Sequence, residues 1–176
     1  MIGLLIAMIL APGQPPHLRV AEKALAGDYG PLSDWQRDGY EALLAQSPNA
    51  KLAWITHYAR EECALQWDPM TGKKEPHAAS GLVPKIGLSA AMLGVPIPRW
   101  KFDKCTRSMI RRDQVPWSYV LVDLPTGMTL RRVEDTGSRA NRGKALSFGA
   151  TEWVDLYAGH GLRNVTHIRR VWVVTR

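Results

Sequence analysis

From Lys51 onward the chain breaks into short runs of β-branched and aromatic residues separated by turn signals, and this limits its fold more than any other feature. Leu52-Ala53-Trp54-Ile55-Thr56-His57-Tyr58 has strand character, and residues 86–93 give a short apolar strand. Trp117 to Asp123 and Met128 to Glu134 flank Pro125-Thr126-Gly127, which predicts a hairpin. Arg169 to Thr175 alternates and closes the chain as a final strand. Residues 60–80, with Asp68-Pro69 and Thr71-Gly72, read as a long polar loop. Residues 97–115 read as a basic irregular stretch, and Ser138 to Ser147 as a loop rich in Arg, Lys, Gly and Asn. Many short strands joined by long loops suit a small closed barrel.

The pattern ahead of Lys51 is different. Residues 11–18 read as a Pro/Gly linker and Leu18 to Ala26 as a short helix. Ser33-Asp34 is a helix-capping signal before Trp35 to Ala45, which places Trp35, Tyr40, Leu43 and Leu44 at helical spacing. Residues 18–50 are therefore expected to form a helical extension, and residues 51–176 the β domain. Ile2 to Leu10 is a continuous apolar run with the length of a signal-peptide core, too short to span a bilayer. No Lys or Arg precedes it, and Ala24-Leu25-Ala26, the candidate cleavage site, lies far from it. Residues 1–17 are read as a signal or membrane-anchoring segment with its linker, and the protein as exported.

The 176 residues fit one domain, with 45% hydrophobic and 22% charged side chains, an ordinary globular composition. The net charge of +7 favours anionic partners such as cell-wall polymers, acidic lipid or nucleic acid. Nucleic acid is not expected, because no element carries a basic stripe interleaved with aromatics. No P-loop, Rossmann glycine pattern or zinc-finger spacing is present. Cys63 and Cys105 are too few for a cysteine metal site, and His77, His160 and His167 are scattered, so neither metal nor cofactor is expected.

Two carboxylates are placed for chemistry. Asp135 stands before Thr136-Gly137, and Asp155 between Val154 and Leu156. A carboxylate where a strand meets a turn is well held and still reachable, and a pair is the least that acid/base work on a glycosidic bond requires. An Asp before Thr-Gly also caps turns through its own backbone. Thr56 and Tyr58 share a strand face, while His57 between them points the other way and reads as structural. Trp153, two residues before Asp155, is a candidate sugar-stacking platform, although tryptophan is more often plain core. Arg139 and Arg142 can meet substrate carboxylates or form a solvated loop.

Taken in order, Ile55-Thr56-His57-Tyr58, Glu62-Cys63, Ala79-Ser80-Gly81, Gly87-Leu88-Ser89-Ala90-Ala91, Asp135-Thr136-Gly137 and Val154-Asp155-Leu156-Tyr157 form a longer pattern. Over roughly residues 52–176 the chain resembles the three-aspartate domain of bacterial cell-wall proteins. It is more distantly similar to rare lipoprotein A, to the barrel of membrane-bound lytic transglycosylase A and to expansins. The resemblance implies a mainly β fold: a six-stranded double-psi β-barrel, here with a short helical N-terminal extension. It implies a peptidoglycan-cleaving enzyme, a lytic transglycosylase, with Asp155 as general acid/base and Asp135 as its electrostatic partner. Thr56, Tyr58, Thr136, Trp153 and Arg139 would hold the glycan. The acid must keep its proton near neutral pH, which burial favours, and the apolar flanks of Asp155 suit it for that role. The alternative that the resemblance to expansins and rare lipoprotein A implies is a non-catalytic glycan-binding barrel. Two departures feed that alternative. Leu88 to Met92 carries no acid where the family places its first aspartate, and Pro96-Ile97-Pro98-Arg99-Trp100 stands near the place of the family's Pro-Leu-Gly-Thr turn. In an exported protein Cys63 and Cys105 can form a disulfide closing a loop of about forty residues, worth ~3–4 kcal/mol, as against two unrelated buried thiols.

Overall fold

The computed structural model describes residues 13–63, 65–160 and 167–176. The Ile2 to Leu10 run lies outside them. Two helices, α1 (Pro16–Ala26) and α2 (Asp34–Gln46), precede strand β1 (Lys51–Ala59). The chain continues through β2 (Leu65–Asp68), β3 (Lys73–Pro76), β4 (Ser89–Met92), β5 (Trp100–Asp103), β6 (Ser108–Arg111), β7 (Ser118–Leu124) and β8 (Gly127–Thr136). It ends with α3 (Arg139–Ser147), β9 (Glu152–Gly159) and β10 (His167–Thr175).

Six of the strands close into a barrel in the order β1-β10-β7-β8-β4-β9. The fold is mainly β, as expected. Two of the six pairs, β1–β9 and β4–β8, are parallel and the other four are antiparallel. The period of two in each strand decides what goes inside. Ala53 and Ile55 of β1, Val120 and Val122 of β7, and Val154 and Leu156 of β9 fill the interior. Their neighbours point out. Tyr119 and Leu121 of β7, with Leu130, Trp172 and Val174, meet the two helices.

The helices use familiar start and stop chemistry. Pro16 sits in the first turn of α1, where its missing N–H costs nothing, and Gly27 closes the helix at φ 94°. Ser33 caps α2, and its backbone N–H donates to Gln36 Oε1 at 3.0 Å. Helix α1 begins within the segment expected to be linker, and Ala24-Leu25-Ala26 forms its last turn with Ala24 buried. No described helix is long and apolar enough to cross a membrane.

Three expected loops contain regular structure. Residues 60–80 hold the β2–β3 hairpin, whose Pro69–Gly72 turn is fastened by Asp68 accepting from the Met70 N–H at 2.7 Å. The basic stretch holds the β5–β6 hairpin, in which Asp103 accepts from the Cys105 N–H. The Arg/Lys/Gly/Asn segment is helix α3, with Ser138 Oγ accepting from the Ala140 N–H. Both hairpins stand outside the barrel as two-stranded sheets. Cys63 and Cys105 form no disulfide: Cys63 is half-buried beside Tyr58 and Tyr157, and Cys105 is exposed in the β5–β6 turn.

Candidate functional site

The outward face of β1, β9, β4 and the end of β8 is not covered by α1 and α2. Strand register sets a row of residues across it. Thr56 pairs with Asp155, Asp155 with Ala91, and Ala91 with Asp135. The two aspartates thus stand two strand spacings apart, roughly 10 Å between backbones, with one methyl group between them. Ala91 is the floor of a groove of about 540 Å³.

The position of Asp135 depends on an irregularity. Val133 points into the barrel, so strict alternation would send Asp135 inward too. The register slips between Ala90 and Ala91, which face Val133 and Asp135, leaving Glu134 as an extra residue. Such a bulge re-aims the residues that follow it. Asp135 turns out to the groove, and its Oδ1 accepts from the Ala79 N–H at 2.9 Å and the Thr136 N–H at 2.8 Å. Glu134 is fully buried, accepting from Ser89 Oγ and from the Arg132 guanidinium. Arg132 in turn lies over Trp117, 4.2 Å from its ring centroid.

Asp155 is held differently. The Trp153 indole N–H donates to Thr56 Oγ1 at 2.8 Å, and that hydroxyl donates to Asp155 Oδ1 at 2.7 Å. One threonine oxygen therefore fixes both the acid and the indole. Trp153 is only 6% exposed and packs with Ala145 of α3 and with Ala150. It borders the groove as a wall and positions Thr56, rather than offering an open stacking face. Gly137 makes this packing possible: a Cβ there would lie 2.7 Å from the Leu93 N and 2.9 Å from the Trp153 ring. Thr136-Gly137, read from sequence as a turn, is instead a strand end that passes close to an indole.

Tyr58 is buried, and its hydroxyl has no hydrogen-bond partner among the described residues. Burial, then the charges of Asp135, Cys63, Asp155 and Glu134, push its pKa well above the usual 10. The phenol is neutral, and its buried hydroxyl is a proton donor lacking an acceptor among the described residues. Its ring meets Tyr157 at a centroid distance of 5.1 Å.

The structure brings Asp135, Asp155, Thr56, Tyr58, Thr136 and Trp153 to one groove. Arg139 is exposed at the start of α3 and does not line it, and Arg142 faces Glu152 at 3.7 Å. The same helix instead supplies Asn141 and Lys144. His57, expected to be structural and turned away, also lines the groove, as do Trp54, Cys63 and His77. Sequence held no signal for Asn141 and Lys144, because their segment reads as loop. Among the described residues no three His, Cys, Asp or Glu side chains converge on a metal-sized point. No protein-family model, curated protein or solved structure shows significant similarity to the chain.

Proposed function

We propose that the groove binds a glycan strand of peptidoglycan and cleaves it as a lytic transglycosylase. The observation that carries this reading is the pair Asp155 and Asp135, each pinned by its own hydrogen bonds, facing one groove across Ala91. In this reading the Asp155 carboxylic acid protonates the leaving glycosidic oxygen as the C–O bond breaks. The resulting carboxylate then takes the proton from the sugar's own hydroxyl, whose oxygen closes on the anomeric carbon. The acid returns to its starting state, and no water or metal is consumed. Asp135 stabilises the positive charge that develops on the sugar. The two parallel pairs in the barrel are compatible with the double-psi winding that the resemblance implies.

A second reading is a barrel that binds the same glycan without cutting it. The acid-free strand β4, with Ala91 between the aspartates, favours it. Incubation with purified sacculi separates the two. Anhydro-muropeptides in the mass spectrum support cleavage, whereas sedimentation with sacculi and no released product supports binding alone.

A further inference from the structure

At the other end of β8 from Asp135, a cleft of about 420 Å³ opens between the helical extension and the barrel. Tyr29, Leu32, Gln36 and Tyr40 line it from the extension, and Arg131 from β8. An adjoining recess of about 290 Å³ shares Val20, Tyr29 and Met128 with it and adds Arg19 and Lys23. The residues lining the two include three cations and no carboxylate.

Arg131 is the telling member. Arg60, Arg132, Arg170 and Arg176 each meet a carboxylate. Arg131 is half-buried, and its Nη1 donates only to neutral oxygens, Thr129 Oγ1 and the Leu130 carbonyl. No ion pair to it forms among the described residues. Burial draws its pKa down, opposed by the nearby Tyr40 phenol, as expected for a guanidinium partly stripped of water. A desolvated cation is costly unless an anion completes it.

We propose that this cleft binds a soluble phosphate monoester carried on a small apolar body. Arg131, with Arg19 and Lys23, meets the phosphate, and the body lies against Tyr29, Tyr40 and Leu32. A doubly charged group matches several cations better than a carboxylate does, and the planar guanidinium suits its oxygens. The volume is that of small-molecule sites. The site is independent of the aspartate groove.

Titration calorimetry of the full chain at low ionic strength tests this, with inorganic phosphate and phenyl phosphate as probes. Phenyl phosphate is expected to bind saturably, and about tenfold tighter than phosphate, because its ring covers the apolar wall. Arg131→Gln should weaken it by about tenfold or more, the loss of a charge-assisted contact. Arg19→Gln, on an exposed helix face, should weaken it severalfold and guards against misfolding of the first variant. Lys104→Gln, in the β5–β6 turn, should leave it unchanged. Without ligand, Arg131→Met should melt no lower than the wild type, and phenyl phosphate should no longer raise its melting temperature. Absence of saturable binding, or equal binding by Arg131→Gln and wild type, overturns the proposal. So does capture on phosphatidic-acid vesicles without binding of phenyl phosphate, which would assign the cleft to a lipid headgroup.

Discussion

A single oxygen, Thr56 Oγ1, organises the acid end of the groove. It accepts from Trp153 and donates to Asp155, so its loss has two effects that separate by experiment. Thr56→Val keeps the shape, leaves the indole N–H without its acceptor and removes one hydrogen bond to the Asp155 carboxylate. We expect a stability loss of ~1–3 kcal/mol in urea unfolding and lower product release from sacculi, with Thr56→Ser close to wild type on both. Asp155→Asn should cut release by a factor on the order of 10² while sacculus binding survives; unchanged release would remove Asp155 from the acid role. Asp135→Asn should lower activity and move the pH optimum, since a neighbouring charge disappears. At this scale the sequence was partly legible. Strand period put Thr56 with Tyr58 on one face, whereas the apolar flanks of Asp155, read from sequence as a sign of its burial, belong to side chains that point into the barrel while Asp155 lines the groove. It could not foresee the face of Asp135, because the bulge at Glu134 leaves no mark in residue type. Nor could it tell a glycine demanded by a nearby indole from one demanded by a turn.

Among the elements, most of those with a buried face were readable, although β9, buried along nearly all its length, was met only as the motif around Asp155. Helices α1 and α2, and strands β1, β7, β8 and β10, carry apolar stripes that match their period. The β2–β3 and β5–β6 hairpins are two-stranded sheets outside the barrel, and their four-residue strands, such as Leu65–Asp68 and Trp100–Asp103, alternate apolar and polar residues over too short a run, among too many charged neighbours, to stand out as strands. Helix α3 buries only Ala145 and contains Gly143, which hides its period. The docking of α1 and α2 makes two predictions. In α2, Gly39 costs helix propensity, yet an added Cβ would sit 2.7 Å from Leu130 Cδ2 and 2.9 Å from the Tyr119 ring. Both neighbours are buried. Gly39→Ala should therefore be net destabilising in calorimetry, overpacking of ~1–3 kcal/mol outweighing a propensity gain of ~1 kcal/mol. In α1, His17 is buried, stacked on Trp172 at 4.9 Å, with both ring nitrogens unpartnered among the described residues. Burial lowers its pKa from the ordinary 6.5. The unfolded chain then binds the proton first as pH falls, so stability is present above 6.5 and drains away below it until the folded state also protonates. Unfolding midpoints measured from pH 7.5 to 5 should show this slope, and His17→Phe should flatten it.

Taken whole, the molecule is a closed barrel with one outer face sealed by helices and another left open as a groove. The thiols report on that arrangement: both should titrate with a disulfide reagent, Cys105 in the exposed turn quickly and Cys63 slowly. A count below two would restore the disulfide expectation. With a net charge of +7, association with an anionic polymer should also weaken as salt rises. The row Thr56, Asp155, Ala91, Asp135 has one further consequence, which concerns time. Its members come from β1, β9, β4 and β8, so no local segment contains even half of the site. The β1–β9 pairing joins residues about a hundred positions apart, a slow kind of contact to form. During refolding, helix signal should return early, and the ability to hold a glycan should return only with the slowest phase. Recovered binding would then clock the instant at which the barrel shuts.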